Sequence, residues 1–135
     1  MMMPLYSVGV NSLQAPIEEA PTIVLTISLL LAAACIVPAA AKLLGHPKMR
    51  ASAAHFGIPW SQYRLIGLAE LAAAVGVLAG VVGRPLGIAA ATGMAVLLAS
   101  ALVAHRRAGD RPQEATPAFA TLGLTAIYLA VAVAL

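Results

Sequence analysis

Four apolar runs, at 21–44, 61–82, 85–105 and 117–135, divide this chain and leave only short connectors between them. Each is close to the ~20 residues that an α-helix needs to cross a ~30 Å hydrocarbon layer. A backbone in lipid must satisfy its own hydrogen bonds, so runs of this length predict helices. Hydrophobic residues make up 61% of the chain and charged ones 10%, against roughly 45–50% apolar content in soluble domains. The expected fold is an all-α membrane protein, a four-transmembrane-helix bundle occupying 21–135 behind an N-terminal tail at 1–20.

Glycine and proline mark where the helices begin and end. The tail carries Pro4, Gly9, Asn11 and Pro16 with no sustained period, and predicts an irregular or short interfacial segment. It has no basic region ahead of a short apolar core, so no cleaved signal peptide is expected and the first run belongs to the mature chain. Pro21 suits the first turn of a helix, Pro38 predicts a kink, and Gly45 is a helix stop. In the first connector, Pro47 opens and Gly57 with Pro59 closes a short interfacial helix over 47–56, with Phe56, Trp60 and Tyr63 as aromatic anchors. Ser61 is the expected N-cap of the second span and Thr116 that of the fourth, while Gly109 stops the third. Gly76 and Gly80 form a GxxxG that predicts close packing within the bundle rather than a dimer seam.

The basic residues read as topology signals. Lys42, Lys48, Arg50, Arg64, Arg106, Arg107 and Arg111 fall on the side shared by the first and third connectors, and Arg84 falls alone on the other. The positive-inside rule then places both termini on the outer side of a cell membrane, with connectors one and three cytoplasmic. The basic residues form no stripe, so the net charge of +3 does not predict nucleic-acid binding.

One carboxylate stands out. Glu70 lies inside the second apolar run, ~9 Å deeper than Arg64 at ~1.5 Å per residue. An intramembrane carboxylate is either paired or used. Antiparallel first and second spans bring Lys42 in from the same side, and Arg64 is the rival partner. A structural ion pair is the favoured reading. The functional one makes Glu70, Lys42, Arg64, His105 and His55 a site for a ligand or a partner. His105, at the end of the third span, fits a helix C-terminal histidine that bonds free carbonyls.

Other chemistry finds little support. The single cysteine, Cys35, sits within the first run, so no CxxC disulfide exchange is available within this chain. His46, His55, His105 and Asp110 show no metal-ligand spacing on one element, and no phosphate loop or catalytic carboxylate pair occurs. An enzyme is less expected than a binding protein, and no cofactor is expected. The expected partners are the lipid bilayer and another membrane protein or a second copy of the chain.

Lys42-Leu43, the connector His55-Phe56-Gly57-Ile58-Pro59, Arg64-x-x-Gly67-x-x-Glu70 and His105-x-x-x-Gly109-Asp110 follow one another at spacings that resemble the DoxX-like family of small four-helix membrane proteins. The resemblance runs from about residue 22 to 135. It implies a membrane bundle and leaves two roles open. The family takes its name from a membrane subunit associated with thiosulfate:quinone oxidoreductase, while a related animal branch includes NACHO, a chaperone of receptor assembly. The first expectation is therefore a binding or assembly module, chaperone-like, centred on Glu70. The alternative is a quinone-linked oxidoreductase subunit, in which Glu70, Lys42 and His105 line a pocket for the quinone headgroup.

Overall fold

A computed structural model describes residues 3–135, with side chains from Ala20 onward. The helices are α1 (Met3–Leu44), α2 (Pro47–Phe56), α3 (Trp60–Ala79), α4 (Arg84–Arg107) and α5 (Thr116–Ala134), with a 3-10 turn at Pro112–Ala115. Four segments are long and apolar enough to span a membrane: Ala20–Leu44, Trp60–Ala79, Arg84–Arg107 and Pro112–Ala134. At most 28% of any such segment is buried within the protein. Residues such as Leu30, Val37, Leu65, Val75 and Val96 face outward instead. A helix that is apolar all round has no polar face to give to water, so its outer surface belongs in lipid.

Each span packs on two neighbours, in the order α1, α3, α4, α5 and back to α1, with α1 against α3 the most extensive pairing. The shared core holds Leu31 and Cys35 of α1, Ala74 and Val77 of α3, Met94 of α4 and Tyr128 of α5. Small residues set its tightest approach. A methyl group at Gly76 would lie 2.6 Å from Ala90 Cβ, and one at Gly80 would lie 2.6 Å from Gly87 Cα. The GxxxG thus serves the α3–α4 seam inside the bundle, as expected. Two polar side chains are fully buried there, and each answers itself. Ser28 Oγ donates to the Val24 carbonyl at 2.6 Å and Thr125 Oγ1 to the Thr121 carbonyl at 2.7 Å.

At one end of the bundle α1, α2 and α4 stop by the same device. Gly45, Gly57 and Gly109 have φ of 74°, 69° and 77°, a left-handed turn that glycine enters without steric cost. In each case the next residue's N–H reaches back to a carbonyl of the last turn: His46 to Ala41, Ile58 to Ala53 and Asp110 to His105. This closure satisfies carbonyls that would otherwise be orphaned. It also aims the three connectors toward one another.

Several local expectations need correction. The backbone is helical from Met3 rather than irregular before residue 20. A proline inside a helix removes one hydrogen bond and does not by itself end it; Met1 and Met2 lie outside the described residues. Neither Ser61 nor Thr116 is an N-cap: α3 starts behind Pro59 and α5 behind Ala115, with no side-chain cap on either. Thr116 Oγ1 instead donates to the Gln113 carbonyl at 2.7 Å, inside the preceding turn. Helix α3 ends at Ala79, short of Val82, and the chain turns over Gly80–Gly83.

Candidate functional site

The 3.6-residue period places Tyr63, Gly67, Glu70, Ala74 and Val77 on the α3 face that turns inward. Gly67 is the hinge of the arrangement. A methyl group there would lie 2.8 Å from Lys42 Cβ and 3.2 Å from the Ala39 carbonyl oxygen. Without one, α1 comes close enough for the lysine stem to lie across α3. Its Nζ then donates to both carboxylate oxygens of Glu70, at 2.9 and 3.0 Å. The two side chains keep only 8% and 13% of their surface exposed. The Tyr63 ring covers the ammonium from the other side, its centroid 5.3 Å from Nζ. Tyr63 is accordingly a buried wall of this pair and not an interfacial anchor.

Arg64 takes no part. It points away from Glu70, and its Nη2 donates to the Leu43 carbonyl at 3.2 Å. Six residues along a helix amount to about 600° of rotation, so Arg64 and Glu70 face different ways. Of the two basic groups near Glu70, the one on the neighbouring helix closes the pair.

His105 and His55 belong to a second cluster, organised by Asp110. Asp110 Oδ1 lies 2.6 Å from His55 Nε2, and Oδ2 lies 2.6 Å from His105 Nδ1. A carboxylate can only accept, so both ring nitrogens donate to it. Gly109 makes this contact local, because its left-handed turn folds Asp110 back over the last turn of α4. Phe56 stands edge-on to both imidazoles, with centroids 5.2 and 4.9 Å away. The cluster thus staples the end of α2 to the end of α4.

The hydrogen bond from His55 holds the Asp110 carboxyl below its ordinary value of 3.8; partial burial opposes this, and the bond from His105 and the charge of both rings add to it. His105 differs from the expected free-carbonyl binder, since a charge-assisted partner lies within reach. Its own carbonyl is taken by the Asp110 N–H.

The residues singled out in the sequence therefore fall into two groups. Lys42 and Glu70 hold each other, His55 and His105 share Asp110, and Arg64 stays outside both. Asp110 as the organiser of the second group and Gly67 as the floor of the first escaped the sequence reading. The available signal for Asp110 was its place directly behind a helix-stopping glycine. His46 Nδ1 accepts from the Lys48 N–H at 3.1 Å and caps α2. Among the described residues, no three His, Cys, Asp or Glu side chains are grouped to hold a metal ion.

Comparison with known proteins places the chain. No match is found among curated proteins or among solved structures. The profile of the DoxX-like family matches residues 26–134, which include both polar clusters, most of the first span and the whole of the other three. The chain belongs to the DoxX-like family of membrane proteins.

Proposed function

We propose that this protein is a binding or assembly module in the membrane, receiving a transmembrane helix of another membrane protein or of a second copy on the outer face of α5. The observation that carries this reading is the contrast between its glycines. Gly67, Gly76, Gly80 and Gly87 each sit against a neighbouring helix, whereas a methyl group at Gly123, and likewise one at Gly93 of α4, would meet nothing within 4 Å. Gly123, Ala126, Ala130 and Ala134 form an exposed line of small residues along α5. Such a line lets two backbones approach closely in lipid, where van der Waals contact drives association.

The sealed Lys42–Glu70 pair fits this reading as a fastener that gives the bundle a fixed shape for a partner to dock on. The quinone-linked alternative has less support, because its three residues are engaged elsewhere: Lys42 and Glu70 with each other, His105 with Asp110. The basic connectors support an orientation with connectors one and three in the cytoplasm and both termini outside.

A photo-crosslinker at Ala126 in native membranes tests the docking face. The expected result is a protein adduct that disappears in Gly123→Leu while the bundle unfolds at an unchanged midpoint. Adducts to lipid alone would count against the reading. For orientation, Ser52→Cys is expected to react with an impermeant maleimide only after permeabilisation, and Val82→Cys in intact cells.

A further inference from the structure

A cleft opens between the end of α2 and the last two turns of α4. Its walls include His55, Phe56, Ile58, Ser100, Val103 and Arg107. Residues 100, 103, 104 and 107 share one side of α4, so the cleft extends ~10 Å along the helix from the bundle end. Polarity changes along that length. Arg107 and the half-exposed His55 stand at the rim, and Val103 lies below them. Ser100 contributes no unanswered donor to the lower wall, since its Oγ donates to the Val96 carbonyl at 2.9 Å. Val103 is 49% exposed, and Val96, one turn of α4 beyond the cleft on the side of Ser100, is 64% exposed, so the lower end of the cleft runs out onto the apolar surface of α4.

The charge at the rim is positive and unspent. Every side-chain carboxylate from Ala20 onward is already engaged: Glu70 by Lys42, Asp110 by both histidines and Glu114 by Arg111. Arg107 makes no ion pair among the described residues. The two helix ends beside the cleft do not oppose an anion strongly. The glycine closures at Gly57 and Gly109 take the carbonyls of Ala53, Ala54, His105 and Arg106, and cationic side chains fill the last turn of α4.

We infer that this cleft binds an anionic phospholipid, with the headgroup phosphate on the Arg107 guanidinium beside His55 and an acyl chain along Val103 and Val96. A cation at the membrane boundary above an apolar, laterally open wall matches the two halves of a lipid, and free phosphate would use only one of them. The site is independent of the α5 docking face, and the two can fail separately.

Native mass spectrometry of the full chain, with phosphatidylglycerol and phosphatidylcholine of identical acyl chains as probes, tests it. The wild type retains phosphatidylglycerol preferentially. Arg107→Gln lowers that preference about fivefold, the worth of one basic group near an anionic lipid, while Arg106→Gln leaves it intact. Val103→Trp, which fills the cleft without changing charge, also lowers retention. All three altered positions are outward-facing, so circular dichroism and the unfolding midpoint stay unchanged. Equal retention of the two lipids, equal effects of Arg106→Gln and Arg107→Gln, or displacement by inorganic phosphate as effective as by short-chain phosphatidylglycerol would each overturn the assignment.

Discussion

The Lys42–Glu70 pair and the His55–Asp110–His105 bridge both tie together segments distant in sequence, but their surroundings differ. The first lies between two membrane spans, its side chains 8% and 13% exposed; the second lies where α4 ends and the connectors begin, and there Asp110 is itself only 7% exposed while its partners His105 and His55 are 21% and 51% exposed. Water can replace a lost partner in the connectors far more readily than between spans. The same kind of contact therefore carries unequal weight, and an ionic group inside the bundle depends on its partner far more than one at the rim.

Substitutions can break that contrast. Lys42→Ala should have the largest effect, about 3–5 kcal/mol, because it strands a carboxylate between helices. Unfolding in mixed SDS micelles followed by circular dichroism measures it. The double variant Lys42→Met with Glu70→Leu should recover most of the loss, since two apolar side chains need no partner. If the double variant is no better than Lys42→Ala, the pair contributes more than charge neutralisation.

Gly67→Ala comes next. Its new methyl group would lie 2.8 Å from Lys42 Cβ, and overpacking of that kind costs about 1–3 kcal/mol. The same unfolding assay should show it as a destabilisation that shrinks when combined with Lys42→Gly, because the obstructing Cβ is gone. Simple additivity of the two would place the strain elsewhere.

Asp110→Asn should be milder than either, and its effect should depend on pH. The Asp110 carboxyl is held below its ordinary value of 3.8, so its contribution is full above that value and is lost as pH falls through the lowered one. Wild type and Asp110→Asn should therefore differ in unfolding midpoint near neutral pH and converge in strong acid. A gap that persists in strong acid would show that the bridge does not act through its charge. Smallest of all, Arg64→Gln removes one exposed bond to the Leu43 carbonyl and should stay within about 0.5 kcal/mol. A larger loss would return Arg64 to the Glu70 site.

Much of this architecture is legible in one dimension. The apolar runs predict the spans, Pro47 and Gly57 bracket α2 at its observed bounds, and Gly45 and Gly109 close α1 and α4. These signals are local: a hydrocarbon layer sets span length, and a left-handed turn selects glycine whatever lies nearby. The depth of Glu70 and the presence of basic groups around it are legible for the same reason. Ser61 and Thr116 show the limit of local signals, since both carry capping chemistry that the chain does not use there.

Partnership is another matter. Sequence alone determined that Glu70 needed an answer and offered Lys42 and Arg64. Only the tertiary structure decided for Lys42, because the choice turns on helix rotation and on how closely α1 approaches at Gly67. Nor could spacing separate His105 from Glu70. Both enter the bundle from the same end, and it took the turn at Gly109 and the position of α2 to set His105 beside Asp110 and His55. Hydropathy records how deep a residue lies, while the azimuth and separation of helices, which no single run of residues encodes, determine what it meets there.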